Sequence, residues 1–204
     1  VKTKYLLVPF SFIFHPIFIS IYGASLYFIF TEVFKNKLAE VYLTLLQIFI
    51  LTILLPLSFY MLLRTLKKVK SFTEATIEER RVPIFIQLIL MYCLLKFTVL
   101  DVHFPELYKF YLGGFISAFL VFVSVILRFK ASLHMIGITS LFVFTVFFTK
   151  YFEIEAINTL AYLIMCMGFV ASSRLYMKAH TPRELVVGVL IGALPQVFVW
   201  FYSM

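Results

Sequence analysis

The sequence predicts an all-α, polytopic transmembrane helical bundle of six or seven spans. Three observations carry this. Hydrophobic residues make up 63% of the 204 residues and charged residues only 14%, whereas a soluble domain is about half apolar and about a quarter charged. The mean hydropathy is +1.02. The apolar residues fall in runs of about 17 to 25, the length that crosses about 30 Å of hydrocarbon at 1.5 Å per residue. Short alternating segments of the β-barrel kind are missing. With 26 phenylalanines and 7 glycines, the chain is neither fibrous nor disordered.

Polar interruptions place the spans at about 6–30, 41–63, 84–100, 107–127, 133–148, 154–171 and 185–202. The first is read as a span and not as a secretory signal. It is long, lacks a small-residue cleavage site and is followed by further spans. The third and fourth decide between six and seven, because Lys96 sits late in one and the Asp101–Glu106 turn between them is short. No internal repeat or low-complexity linker divides the chain, so residues 1–204 read as one transmembrane domain.

Lysine and arginine are sorted by side. With seven spans, the N-terminus and the loops 64–83, 128–132 and 172–184 share one side and hold thirteen of them. The other side holds Lys35, Lys37, Lys109 and Lys150. The positive-inside rule then puts the three polar loops in the cytoplasm. A net charge of +8 suits an anionic membrane surface or an anionic substrate. Nucleic acid is not expected as a partner, since the basic residues sit at span ends and form no recognition motif.

Several residues read as structural. Cys93 and Cys166 lie within apolar spans as small hydrophobes. His15 beside Pro16 reads as a local hydrogen-bonder. Gly188 and Gly192 form a G-x-x-x-G for close helix packing. Asp101, His103 and Glu106 read as a surface turn, and the tyrosines and Trp200 as interfacial belts. A transporter is disfavoured: Pro16, Pro56 and Pro195 interrupt spans with no buried carboxylate or arginine beside them.

The chemistry concentrates in three polar stretches on one side. Residues 173–188 read SRLYMKAHTPRELVVG. Glu184 follows His180 by four residues, close enough to accept a proton from one ring nitrogen and leave the other as nucleophile or base. Arg174 offers planar donors for a phosphate. The same strip is also a capping box, with Thr181 at the cap, Pro182 at the first helical position and Glu184 at the third. In the second stretch, RFKASLHMIG, His134 stands at the mouth of a span, two residues after Ser132 and four after Lys130. The first stretch ends in EERRVP, residues 78–83. Taken alone, it is a solvated charge run before a helix opened by Pro83.

Together the three stretches resemble the type 2 phosphatidic acid phosphatase superfamily, which includes lipid phosphate phosphatases and vanadium haloperoxidases. Its third motif, S-R-x5-H-x3-D, is matched by Ser173, Arg174, His180 and Glu184, with Glu in place of Asp. Its second, P-S-G-H, is kept in part as Ala131-Ser132-Leu133-His134. Its first, K-x6-R-P, is weak. Arg81 and Pro83 are separated by Val82, Glu74 stands at the lysine position, and Lys70 is out of register. Many members have six spans and an outward-facing site, so both seven spans and a cytoplasmic site would be departures.

The resemblance implies a mechanism. His180 attacks phosphorus to form a phosphohistidine, Glu184 orients its ring, and His134 protonates the leaving alcohol. Arg174, Arg81, Ser132 and Lys130 hold the phosphoryl oxygens, with Lys130 or Arg80 as candidate replacements for the missing lysine. It implies no metal and no cofactor. The substrate expected is a lipid phosphate monoester or diphosphate, such as phosphatidic acid, phosphatidylglycerol phosphate, a polyprenyl diphosphate or a lipid A phosphate. The expected location is a membrane of the bacterial inner type, with membrane lipids as partners. The alternative is a catalytically inactive relative that binds anionic lipid headgroups or supports a membrane complex.

Overall fold

The structure is a computed structural model that describes residues 2–67, 76–98 and 100–202. Its main helices are α1 (Lys2–Ile13), α2 (Pro16–Thr31), α3 (Leu38–Thr65), α4 (Arg81–Phe97), α5 (Pro105–Ile126), α6 (Leu133–Tyr151), α7 (Ile157–Tyr176) and α8 (Pro182–Tyr202). There is no strand among the described residues. Among the described residues, five helices, α3 and α5 to α8, are long and apolar enough to cross a membrane, and the α1–α2 pair makes a sixth if counted as one span. Helix α4 has 17 residues. These lengths and compositions are those of an all-α integral membrane protein.

Each expected apolar stretch coincides with helix, but the first is not one straight span. It breaks at His15-Pro16, and the two parts are bent by 68°. Proline lacks an N–H and disfavours helical ψ in the residue before it. His15 accordingly sits at φ −65°, ψ 138°, extended rather than helical. In α3 the proline is absorbed differently. A π turn at Ile50–Leu54 precedes Pro56, widening the helix where the ring would meet the carbonyl four residues back.

Helix α6 is the central post and packs against α8, α2, α7 and α5. Helix α3 lies on the outside, its apolar window largely unburied. One end of the bundle is filled by aromatic rings. Phe144 stacks on Phe110 at 4.5 Å and Trp200 on Phe147 at 5.5 Å. Two expectations change here. Trp200 is fully buried, with Lys109 Nζ 4.7 Å from its ring centroid, and so is core rather than interfacial belt. Glu106 is also buried and accepts a 3.1 Å hydrogen bond from the Tyr27 hydroxyl, so it is no surface turn.

The G-x-x-x-G of α8 does bring two helices together. A methyl group on Gly192 would stand 2.5 Å from the Ile136 carbonyl oxygen, and one on Gly188 2.9 Å from that of Ser132. Polar groups fasten the same contacts. Ser140 donates to the Gly192 carbonyl at 3.0 Å, Ser117 to that of Ile191 at 2.8 Å, and Gln196 to that of Phe110 at 3.0 Å.

Among the described residues, five other than glycine hold positive φ, each just past a helix: Glu32, Lys67, Arg128, Glu153 and Lys178. The three basic ones follow α3, α5 and α7 and share one end of the bundle. The two acidic ones follow α2 and α6 at the other. A helix dipole favours cations at every C-terminus, so the sorting here follows the side of the bundle and not the dipole.

Gly192→Ala is expected to destabilise the protein by about 1–3 kcal/mol through overpacking, visible as a lower unfolding midpoint in detergent. Gly168→Ala is the control. Nothing lies within 4 Å of an added methyl there, so it should be neutral or slightly stabilising through helix propensity.

Candidate active site

The aromatic end is packed; the opposite end is hollow. The start of α2, the end of α3, the starts of α4 and α6, the end of α7 and the loop before α8 meet there around a cavity of about 390 Å³. Its mouth carries His15, Arg80, His134, Arg174 and His180. Further in, the wall becomes apolar, with Ile19, Ile86, Met91 and Phe110. From Arg80 to Met91 is eleven residues, about 16 Å along a helix.

Arg174 lies in the last turn of α7 and is only 5% exposed. Its Nη1 approaches the Met177 sulfur at 4.0 Å, and its Nε is buried without a hydrogen-bond partner. Among the described residues, no carboxylate stands within ion-pair distance of it. A buried guanidinium without a counter-charge is costly to hold, and this one opens onto the cavity.

Six residues on, His180 is buried against Glu184, its Nδ1 2.8 Å from Oε2. That oxygen also accepts from the Thr181 backbone N–H at 3.0 Å, while the Thr181 hydroxyl accepts from the Glu184 N–H at 3.4 Å. Capping box and oriented histidine are therefore both present, and one carboxylate oxygen serves both. Burial lowers the His180 pKa from 6.5 to about 4. The Glu184 hydrogen bond opposes this, and the charges of Arg174 and Arg80 add to it. At neutral pH the ring is uncharged. Nδ1 donates its proton to Glu184, and Nε2 carries the lone pair.

His134 stands in the first turn of α6, and its Nε2 lies 3.0 Å from the Ser11 carbonyl oxygen. Its ring meets that of His15 edge to face, centroids 5.2 Å apart. Ser132 sits behind this wall. It is fully buried, its hydroxyl has no partner among the described residues, and it does not line the cavity. Its backbone N–H donates to the Glu184 carbonyl at 3.2 Å. That bond ties the start of α6 to the start of α8, and so the two histidine loops to each other.

The 76–83 segment corrects the expected register. Thr76 and Glu79 form a second capping box, Thr76 N to Glu79 Oε2 at 3.0 Å and Glu79 N to Thr76 Oγ1 at 3.3 Å. This fixes the phase of the turn before α4. Adjacent residues on a helical turn face different ways. Arg80 therefore faces the cavity, within electrostatic reach of Glu184. Arg81 is exposed on the outer face beside Val82, Phe85 and Phe122.

Of the expected residues, His134, Arg174 and His180 share the cavity, and Glu184 stands behind His180. Arg81, Ser132 and Lys130 do not line it, and Lys70 and Glu74 lie outside the described residues. Arg80 takes the position expected of Arg81, and His15 joins the site. Thr76-x-x-Glu79 was the available sign for Arg80, and the His15-Pro16 break the sign for His15. Among the described residues, no group of three or more His, Cys, Asp or Glu is placed to hold a metal ion.

The fold and site together define an all-α membrane-type bundle with a cationic, histidine-bearing cavity at one end. No family model, curated protein or solved structure matches the chain. The likeness to the phosphatase superfamily therefore rests on the motif residues themselves.

The buried neutral His180 makes stability pH-dependent. Below pH 6.5 the unfolded chain takes up a proton that the folded chain refuses until about pH 4. The unfolded state then binds more protons, so stability falls as pH drops through that window. The loss should approach on the order of 3 kcal/mol. His180→Gln should make the 6.5-to-4 limb of the unfolding midpoint against pH shallower, the other buried histidines of the site keeping the rest of the slope; an unchanged limb would assign it to other groups.

Proposed function

We propose that the protein hydrolyses a phosphate monoester or diphosphate carried by a membrane lipid, through a phosphohistidine on His180. The observation that carries this is Arg174, a buried guanidinium without a carboxylate partner among the described residues, opening onto the same cavity as His180. A phosphoryl group would supply the missing counter-charge. Arg80, lining the same mouth, would hold a second edge of it. Phosphoryl transfer asks chiefly for positioning and positive charge around three equatorial oxygens.

His180 Nε2 attacks phosphorus, and the bond to the lipid oxygen breaks. The phosphate's negative charge lets His134 take up a second proton from solvent on Nδ1, and the leaving oxygen takes that proton, leaving the ring neutral. Glu184 keeps Nδ1 of His180 occupied, so the attacking nitrogen stays unprotonated. Water then attacks the phosphohistidine, returns a proton to His134 and releases inorganic phosphate. Exclusion of bulk water by the buried mouth would strengthen every one of these electrostatic contacts.

The apolar interior supports a lipid over a soluble phosphate ester. Beneath the cationic mouth lie Ile19, Ile86, Met91 and Phe110, a lining suited to hydrocarbon. In this reading α2 and α4 both cross the bilayer, giving seven spans, and the positive end of the bundle faces the cytoplasm. A second reading, headgroup binding without turnover, draws on the distance of Arg81, Lys130 and Ser132 from the cavity, which leaves fewer groups to hold the phosphoryl oxygens.

Purified protein in mixed micelles should release phosphate from at least one lipid phosphate in a panel of mono- and diphosphates, in the presence of chelator. His180→Ala should abolish release. Arg174→Ala should lower kcat/KM by about 10²-fold or more, as expected for losing a fixed donor to the transition state. Equal lipid binding by wild type and His180→Ala, with turnover by neither, would establish the second reading instead.

Gly114 lines the deep part of the cavity, where an added methyl would stand 3.1 Å from the Met91 terminal methyl. Gly114→Leu should shift preference towards shorter hydrocarbon chains while leaving headgroup selectivity unchanged. The ratio of kcat/KM for long and short chains checks this.

A further inference from the structure

We infer that the helix break at His15-Pro16 belongs to the site, and that His15 is a positioning residue that helps to fix which ring nitrogen of His134 can exchange a proton. The inference rests on the proposed phosphoryl-transfer reading for its catalytic meaning, but its geometry stands apart from it.

The chain of cause starts at Pro16. It ends α1, and the last carbonyls of a helix have no intrahelical partner. In an unbroken helix the His15 N–H would donate to the Ser11 carbonyl. Here it donates to the Phe12 carbonyl instead, at 3.3 Å. The Ser11 carbonyl is taken by His134 Nε2 at 3.0 Å. A carbonyl oxygen only accepts, so Nε2 carries the proton. In the uncharged ring the lone pair then sits on Nδ1, so Nδ1 is the nitrogen that takes up a further proton when phosphate is bound and passes it to the leaving oxygen.

His15 holds this arrangement from two directions. Its Nδ1 accepts from the Ile17 backbone N–H at 3.3 Å, capping α2 and fixing its own ring. That ring lies perpendicular to His134, at 5.2 Å between centroids. On the other side of the break, Ser11 and Ser173 hydroxyls meet at 2.7 Å in the interior, which docks α1 beside Arg174. Charged or titratable groups around His134 come from each neighbouring element: His15 at the break, Arg174 from α7, His180 before α8, and Arg80 with Glu79 from the turn before α4.

The two site histidines are thus held in opposite senses. Glu184 occupies Nδ1 of His180 and leaves Nε2 for attack. The Ser11 carbonyl occupies Nε2 of His134 and leaves Nδ1 for proton transfer. Each ring has a dedicated orienting partner, one a side chain and the other a backbone carbonyl released by a proline.

Two measurements test this. The first is nitrogen-15 NMR of histidine-labelled protein in lipid nanodiscs at pH 8, with His134→Gln to assign the signal. Wild-type His134 should be protonated on Nε2 and bare on Nδ1. In Pro16→Ala, where the helix can run through and reclaim the Ser11 carbonyl, the two tautomers should mix. The second is kinetics of His15→Asn. Asparagine is a good N-cap, so the α2 cap survives and only the ring is lost. We expect kcat to fall on the order of tenfold to a hundredfold, as for a misplaced catalytic group, with a change in the pH profile of kcat and little change in KM.

Wild-type His134 protonated on Nδ1 and bare on Nε2 at pH 8 would overturn the inference, and that measurement needs no variant. So would His15→Asn with wild-type kcat and pH profile. If wild type releases no phosphate from any lipid, the proposed function falls, while the tautomer measurement still decides the geometry.

Discussion

One carboxylate oxygen, Oε2 of Glu184, is the point on which the hollow end of the bundle turns. It accepts from His180 Nδ1 at 2.8 Å and from the Thr181 backbone N–H at 3.0 Å. The first bond sets the tautomer and direction of the imidazole. The second satisfies one of the free N–H groups at the start of α8. The backbone carbonyl of the same residue receives the Ser132 N–H. Glu184 thereby links the orientation of His180, the start of α8 and the start of α6, where His134 stands.

Around that point the bundle divides its labour between its two ends. At one end phenylalanines and Trp200 fill the interior, Gly192 lets α8 lie against α6, and buried polar groups such as Glu106 and Gln196 find partners across helices. At the other end the helices stop filling the space between them. The break at Pro16 and the π turn before Pro56 both border the cavity, since His15, Pro16, Thr52 and Pro56 line it. Irregular backbone is tolerated at membrane depth where it lines a cavity or is buried in protein. The packed end gives rigidity to helices whose other ends must hold charged and titratable groups at fixed spacing.

Arg174 is the observation on which the proposed anion site rests. Its charge is buried, and among the described residues no carboxylate neutralises it. Glu184, the nearest acidic residue in sequence, is committed to His180 and Thr181 through Oε2. Structural economy alone would have paired the guanidinium or replaced it.

The helical class, the apolar stretches and the His180–Glu184 pair were legible in the sequence because each is set by local rules: hydrophobic run length, and the one-turn reach of residues four apart. The G-x-x-x-G contact was legible for the same reason. What the sequence could not carry was phase and long-range approach. Arg80 rather than Arg81 faces the cavity because the Thr76–Glu79 box sets the rotation of α4, and one residue of rotation turns a side chain from cavity to outer face. Ser132 falls behind the wall because its backbone, not its hydroxyl, meets α8. His15 looked like a local capping residue, and it is one. Only the folding of α1 onto α7 brings it, with the Ser11 carbonyl, to a histidine more than a hundred residues away. Local chemistry paired His180 with Glu184; tertiary packing chose which charges surround them, because it alone fixes how the separate helices are turned towards one another.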